Sequence, residues 1–228
     1  MKRISCLLIG IFWTLLVDGQ GVKFDHFKLE GHKLGIFEIH VTANPKNEKK
    51  PLLIYIDGSG NYPLFYQTKS GSTSTTIALD INKYANEYTI VFISKPGIAF
   101  KDKISYTESG RSFYPENDTY REMYSLDWRA GAASAAIDFL WKKAPVERKR
   151  IVVMGYSEGA QVAAKVAVMN KKVTHVVCFV GNSQNQLYDF LIEARLKVER
   201  NELTADEGQY ILDTIYRENE KIYASPNT

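Results

Sequence analysis

Arg150-Ile151-Val152-Val153-Met154-Gly155-Tyr156-Ser157-Glu158-Gly159-Ala160-Gln161-Val162-Ala163-Ala164 is the stretch whose reading decides the fold. Ile151, Val152 and Val153 form a β-branched run bounded by Pro145 and Gly155, the composition of a strand buried on both faces. Residues 158–169 then set apolar side chains among good helix formers, which predicts a buried crossover helix. Between the two lies Gly-x-Ser-x-Gly, its glycines two residues either side of Ser157. A tight strand-to-helix turn explains that spacing. Such a turn is strained and brings two backbones close together, so side chains at 155 and 159 would collide. With Gly and Ser each at ~7% of residues, the bare pattern arises by chance in roughly 5–10% of chains this long, so the flanking strand and helix carry the argument.

Working outward, strands and helices alternate. Val22 to Glu30 and Leu34 to Thr42 alternate apolar and polar residues around Gly31-His32, a hairpin that predicts an antiparallel edge. A polar loop, 44–50, leads to the buried run Leu52-Leu53-Ile54-Tyr55-Ile56, which ends at Asp57-Gly58-Ser59-Gly60. Thr75 to Glu87 reads as a helix and Thr89 to Ile93 as the next strand. An aromatic loop over 95–118 precedes a helix over 119–142 carrying Trp128, Ala132, Ala136, Ile137 and Leu140. Val173 to Val180 is a further strand beyond the elbow helix. The pattern predicts an α/β fold: a mostly parallel sheet with helices on both faces, a three-layer α/β/α sandwich with an antiparallel N-terminal hairpin. From Asn182 the character changes. Leu187 to Arg200 and Ala205 to Tyr223 read as polar amphipathic helices, a lid or cap over 182–228, and the last residues, 224–228, read as a loop.

The start of the chain is a separate segment. Met1-Lys2-Arg3 is basic, Ile4 to Val17 is apolar, and small residues follow, the pattern of a secretory signal peptide over 1–19 cleaved after Gly19. The apolar run is short for a membrane span, though a retained N-terminal anchor is the alternative. The expected location is secreted or periplasmic, with no stable membrane partner after cleavage. Core residues 20–181 follow. Of 29 basic and 26 acidic residues, the leader removes Lys2, Arg3 and Asp18, leaving a net charge of +2. That balance argues against nucleic-acid binding, and the basic cluster Lys142, Lys143, Arg148, Lys149, Arg150 reads as a solvated face. Only Cys178 survives processing, in an apolar run that predicts a small buried thiol. No His, Cys and carboxylate cluster has ligand spacing, so no metal and no cofactor is implied. Asn117-Asp118-Thr119 matches a glycosylation sequon.

On the elements and two motifs, residues 22 to 181 resemble the α/β-hydrolase family. Gly155-Tyr156-Ser157-Glu158-Gly159 matches that family's nucleophile elbow and implies Ser157 as nucleophile. Asp57-Gly58-Ser59-Gly60 is similar to its oxyanion loop, with Asp57 where His is usual. Gly58 and Gly60 still permit a backbone amide to face the reacting centre. The resemblance implies acyl transfer to Ser157, with the backbone N–H groups of Ser59 and Glu158 holding the developing oxyanion. No catalytic role is expected for the Glu158 side chain, which is expected to point away or cap the helix. The substrate class implied is a small ester, thioester or peptide; oligomeric state is not legible. Phe100, Tyr106, Phe113, Tyr114, Tyr62, Phe65 and Tyr66 either wall an acyl or aryl pocket or pack long loops onto the sheet.

A serine needs a base, oriented by an acid, and the family's chain order puts both after the elbow. His26, His32 and His40 precede it, and His175 falls near the start of its strand, the wrong end of the sheet. The loop Gly181-Asn182-Ser183-Gln184-Asn185 has no carboxylate, and Asp189, Asp206 and Asp213 read as solvated helix positions. The expectation is a fragment of a hydrolase lacking its acid and histidine, nearly inactive alone. The alternatives are a degenerate, non-catalytic binding protein, an acyltransferase, or a prolyl-oligopeptidase-like peptidase.

Overall fold

A computed structural model describes residues 21–31, 33–181 and 186–224. The signal-peptide segment, His32, the loop 182–185 and the last residues, 225–228, lie outside that description.

The first compact unit closes at Gly181. Its elements run β1 (Phe24–Gly31), β2 (Gly35–Thr42), β3 (Lys50–Ile56), β4 (Phe65–Gln67), β5 (Thr73–Thr75), α1 (Ile81–Tyr84), β6 (Thr89–Ile93), β7 (Lys101–Lys103), β8 (Ser105–Tyr106) and β9 (Ser112–Phe113). There follow α2 (Asp118–Met123), α3 (Leu126–Lys143), β10 (Val146–Tyr156), α4 (Glu158–Met169) and β11 (His175–Phe179). Six strands make the main sheet in the order β1-β2-β6-β3-β10-β11. The hairpin β1–β2 is antiparallel and meets β6 antiparallel, while β6, β3, β10 and β11 are mutually parallel. The sheet is therefore mixed at one side and parallel through its core, which requires covered faces.

The period-2 geometry of a strand divides the apolar run 52–56 between two cores. Leu52, Ile54 and Ile56 join Ile151 and Val153 under α3 and α4, where Ala132, Ala136, Val162 and Ala163 let helix backbones approach closely. Leu53 and Tyr55 face the other way, with Ile90, Phe92, Val152, Phe65 and Phe100. Serine and asparagine caps set the helix starts: Ser125 Oγ accepts from the Trp128 amide and Asn117 Oδ1 from the Tyr120 amide. Asn117 Nδ2 also donates to the Gly97 carbonyl at 2.8 Å.

Three expectations need correcting here. The helix expected over Thr75 to Glu87 is a single turn, Ile81–Tyr84, capped by Asp80. Thr73–Thr75 instead pairs as a strand with Phe65–Gln67, and the Thr75 hydroxyl donates to the Leu64 carbonyl. β-branched threonines there won over the helical pattern read through them. Cys178 is exposed rather than buried, because β11 borders the sheet; its thiol reaches the Ala160 carbonyl at 3.6 Å. The helix read over 119–142 is broken at Tyr124-Ser125 into α2 and α3.

The second compact unit holds α5 (Gln186–Glu199) and α6 (Ala205–Ala224), which pack against each other. Thr204 and Glu207 form a reciprocal capping box at the start of α6, the Glu207 carboxylate accepting from the Thr204 amide at 2.8 Å and the Glu207 amide donating to Thr204 Oγ1 at 3.2 Å. Gly208 sits against Val198, and a Cβ there would overlap that side chain. Among the described residues no helix is long and apolar enough to cross a membrane.

Candidate active site

Ser157 stands between the end of β10 and the start of α4 with φ 54° and ψ −126°. A serine at positive φ is held there only when its surroundings over-determine it. Four constraints do so. A Cβ on Gly155 would overlap the Gly159 carbonyl, and a Cβ on Gly159 would overlap the carbonyls of Ile56 and Asp57. The Ser157 amide donates to the Phe179 carbonyl and its own carbonyl accepts from Ala160, both at 2.9 Å. The side chain is half-buried and turned toward the loop after β3: a Cβ built on Gly58 would lie 3.2 Å from Ser157 Cβ and 3.7 Å from its Oγ.

The 57–60 loop and the first residue of α4 thus flank one hydroxyl. Glu158 is the first helical residue, whose N–H has no intrahelical acceptor and carries the positive end of the helix dipole. Among the described residues the Ser59 amide likewise has no acceptor.

Beneath the loop lies a cluster that the sequence did not disclose. The Asp57 carboxylate, 5% exposed, takes Lys95 Nζ on Oδ2 at 2.8 Å and Arg129 Nη2 on Oδ1 at 2.7 Å. Arg129 Nη2 also reaches the Asp57 carbonyl at 2.6 Å, and its Nη1 donates to Glu158 Oε1 at 2.9 Å. The Tyr124 hydroxyl donates to the same Glu158 oxygen at 2.7 Å. Lys95 Nζ finds two more acceptors, the carbonyls of Gly58 at 2.8 Å and Gly60 at 2.6 Å. The Glu158 side chain therefore neither points away nor caps its helix; it is held by Arg129 and Tyr124. Two cations and two anions balance, so the charges tolerate burial.

Burial pushes the Lys95 ammonium down from its ordinary value, opposed by the Asp57 charge. For Arg129, burial also works against the charged form, but Asp57, Tyr124 and Glu158 outweigh it and raise its pKa. Burial raises the Tyr124 phenol strongly, and the Tyr55 phenol is pushed up to about 12 by the same cause. A cavity of about 20 Å³, on the scale of one water, lies beside the cluster among Tyr55, Asp57, Ile93, Lys95, Trp128 and Arg129.

The described histidines lie elsewhere. His175 pairs in register with Val152, four positions before Tyr156, roughly 13 Å down the strand from the elbow. Its Nδ1 contacts Thr174 Oγ1 at 2.7 Å. His40 is fully buried, with Nε2 2.8 Å from Ser94 Oγ and Nδ1 2.6 Å from His26 Nδ1. Its ring lies against Phe100, 4.0 Å between centroids and tilted by 33°.

The aromatic residues divide. Phe65 and Phe100 are core side chains, 5.1 Å apart. Tyr62 and Tyr66 meet edge to face on the surface side, and Asn61 Nδ2 donates to the Tyr114 carbonyl at 2.8 Å, tying the loop after β3 to the β8–β9 ribbon. Tyr114 donates to Asp102 Oδ2 at 2.7 Å. Among the described residues no group of three His, Cys or carboxylate side chains could hold a metal ion.

Residues 134–223 match the family described as BAAT / Acyl-CoA thioester hydrolase C terminal. The match covers less than half of the chain; with the mostly parallel sheet and the elbow it agrees with the resemblance to the α/β-hydrolase family. No curated protein matches the sequence. Among solved structures it is similar to acetyl xylan esterase 1 from Thermoanaerobacterium sp. JW/SL YS485, at 14% identity and TM-score 0.47, covering 90% of this chain and 66% of that one. It is also similar to the α/β-hydrolase GrgF from Penicillium sp. sh18, at 16% identity and TM-score 0.48, covering 78% and 54%. A puromycin-hydrolysing peptidase of Mycobacterium tuberculosis aligns at 16% identity and TM-score 0.48, covering 75% and 24%. The chain spans 24% to 66% of the length of these three proteins.

Proposed function

We propose that the protein is a serine hydrolase that cleaves a small carboxylic ester, thioester or amide through an acyl-Ser157 intermediate. The observation that carries this reading is the Ser157 backbone at φ 54°, with Gly58 packed against its side chain. Strain at a serine that is half exposed and flanked by free amides is the arrangement a nucleophile requires. Ser157 Oγ bonds to the carbonyl carbon while its proton passes to a general base. The carbonyl oxygen gains the negative charge and accepts hydrogen bonds from the Ser59 and Glu158 amides. Collapse of the tetrahedral intermediate breaks the bond to the leaving group, which takes that proton. Water then repeats the sequence and frees the acid. Similarity to an acyl-CoA thioester hydrolase family supports keeping thioesters within the substrate class. His26, His40 and His175 are not the base in this reading, since their contacts hold them elsewhere.

A fluorophosphonate probe applied to the full-length protein tests the proposal. Labelling of the protein that disappears in Ser157→Ala is the expected result. Labelling retained in Ser157→Ala would sink it, and an unlabelled wild-type protein would favour the non-catalytic binding protein. Residues 1–19 are read as a secretory leader; N-terminal sequencing of exported protein should find a chain beginning at Gln20.

A further inference from the structure

The loop 57–60 has a mechanical weakness. Gly58 has no side chain to anchor it and Gly60 takes φ 88°, so the segment that carries the Ser59 amide has little stiffness of its own. Something outside the loop must fix where that N–H points.

We propose that Lys95 is a positioning residue that fixes the direction of the Ser59 amide beside Ser157. This rests on the reading of Ser157 as nucleophile and of that amide as an oxyanion donor. The Gly58 carbonyl and the Ser59 N–H belong to one peptide unit, and no cis peptide bond is present, so the two point in opposite directions. Lys95 Nζ grips the Gly58 oxygen at 2.8 Å from below. Holding one end of the plane sets the other. The Gly60 carbonyl, at 2.6 Å, fixes the next-but-one peptide in the same way and so brackets Ser59.

The stoichiometry is closed. An ammonium has three donors, and the three acceptors here are Gly58 O, Gly60 O and Asp57 Oδ2. Lys95 itself is held: its side chain is 5% exposed and it follows directly after the buried Ser94. Neutralising Asp57 cannot be its whole task, because Arg129 already pairs with the other carboxylate oxygen and bridges onward to Glu158. Two backbone carbonyls would not need a cation that served charge balance alone.

Two variants separate positioning from charge balance. Lys95→Met removes both the charge and the grip; Asp57→Asn with Lys95→Met removes the opposing charge as well, so the pair is restored to neutrality and folding is protected. Each is made in the full-length protein and assayed for phosphonylation by the fluorophosphonate probe, with thermal melting to confirm the fold. The expected result is a saturating labelling rate about 10²-fold lower in both variants, with the half-saturating probe concentration changed less than about threefold. Recovery of the wild-type rate in the double variant would overturn the proposal and leave Lys95 a counter-ion. Backbone order parameters give a readout that needs no chemistry: the Ser59 and Asn61 amides should become more mobile in the double variant. Unchanged order there overturns the positioning role as well. A wild-type protein that the probe does not label at Ser157 instead overturns the hydrolase reading, and the order parameters then decide the pin alone.

Discussion

Ser94 and Lys95 are consecutive, yet they serve two buried polar clusters of opposite kinds. Ser94 faces His40 and His26, a neutral set of ring nitrogens and a hydroxyl packed on Phe100. Lys95 faces Asp57, Arg129 and Glu158, a set of formal charges that cancel. The difference teaches how a protein interior accepts polarity: either every charge is matched, or no charge forms. The first solution lies under the elbow. The second is conditional on pH, because burial drives the His40 pKa well below its ordinary value and the neighbouring His26 pushes it further down. Burial lowers His26 as well, with Glu38 and Asp25 acting the other way.

The contrast is most sharply broken by removing one charge from the balanced set. Arg129→Met leaves Asp57 and Glu158 without their shared partner and should cost about 3–5 kcal/mol in urea unfolding; a loss under 1 kcal/mol would mean that the cluster is not balanced as described. The neutral set responds to acid instead. Both histidines bind protons less readily folded than unfolded, so their stabilising share is complete above the unfolded value near 6.5 and falls as pH drops from there toward the folded values. Thermal melting between pH 7 and pH 5 should show stability falling by up to about 1.4 kcal/mol per pH unit for each proton taken up, and His40→Asn should flatten that slope. The smallest effect belongs to a pair that is neither buried nor balanced. Lys28 and Glu38 lie 3.4 Å apart with side chains 69% and 40% exposed, and Lys28→Ala should change stability by less than about 1 kcal/mol.

What could be read from the sequence follows the range of the physics. The elbow was legible in part because one constraint is local: the strand and helix meet within five residues, and the Gly159 carbonyl demands glycine at 155. Glycine at 159 instead answers the Ile56 and Asp57 carbonyls at the end of the neighbouring strand, and shows in sequence only through the motif. The strands were legible for a local reason too, since the unbroken apolar run Leu52 to Ile56 asks for cover on both faces of the sheet. The charge cluster was not. Asp57, Lys95, Arg129 and Glu158 come from four elements tens of residues apart, and no periodicity announces that they meet. A hint existed: Lys95 and Arg129 each sit beside strongly apolar runs, where an unpaired cation would be costly. The region 73–84 misled because Thr-Ser-Thr-Thr suits a strand edge while Ile77, Ile81 and Tyr84 repeat at helical spacing. Pairing with Phe65–Gln67 decided between them, and pairing is not visible along a single segment.

Asn117 carries a consequence for how the chain would mature. Its Nδ2 already donates to the Gly97 carbonyl, and Gly97, at φ 67°, lies so near that even a methyl group on it would strike the asparagine amide. A sugar on Asn117 would have to share Nδ2 with the hydrogen bond to Gly97, while Oδ1 already caps α2. In a cell that decorates exported proteins, one asparagine would then serve as helix cap, turn clamp and sugar anchor together, and losing the side chain would loosen the 97 turn as well as remove the sequon.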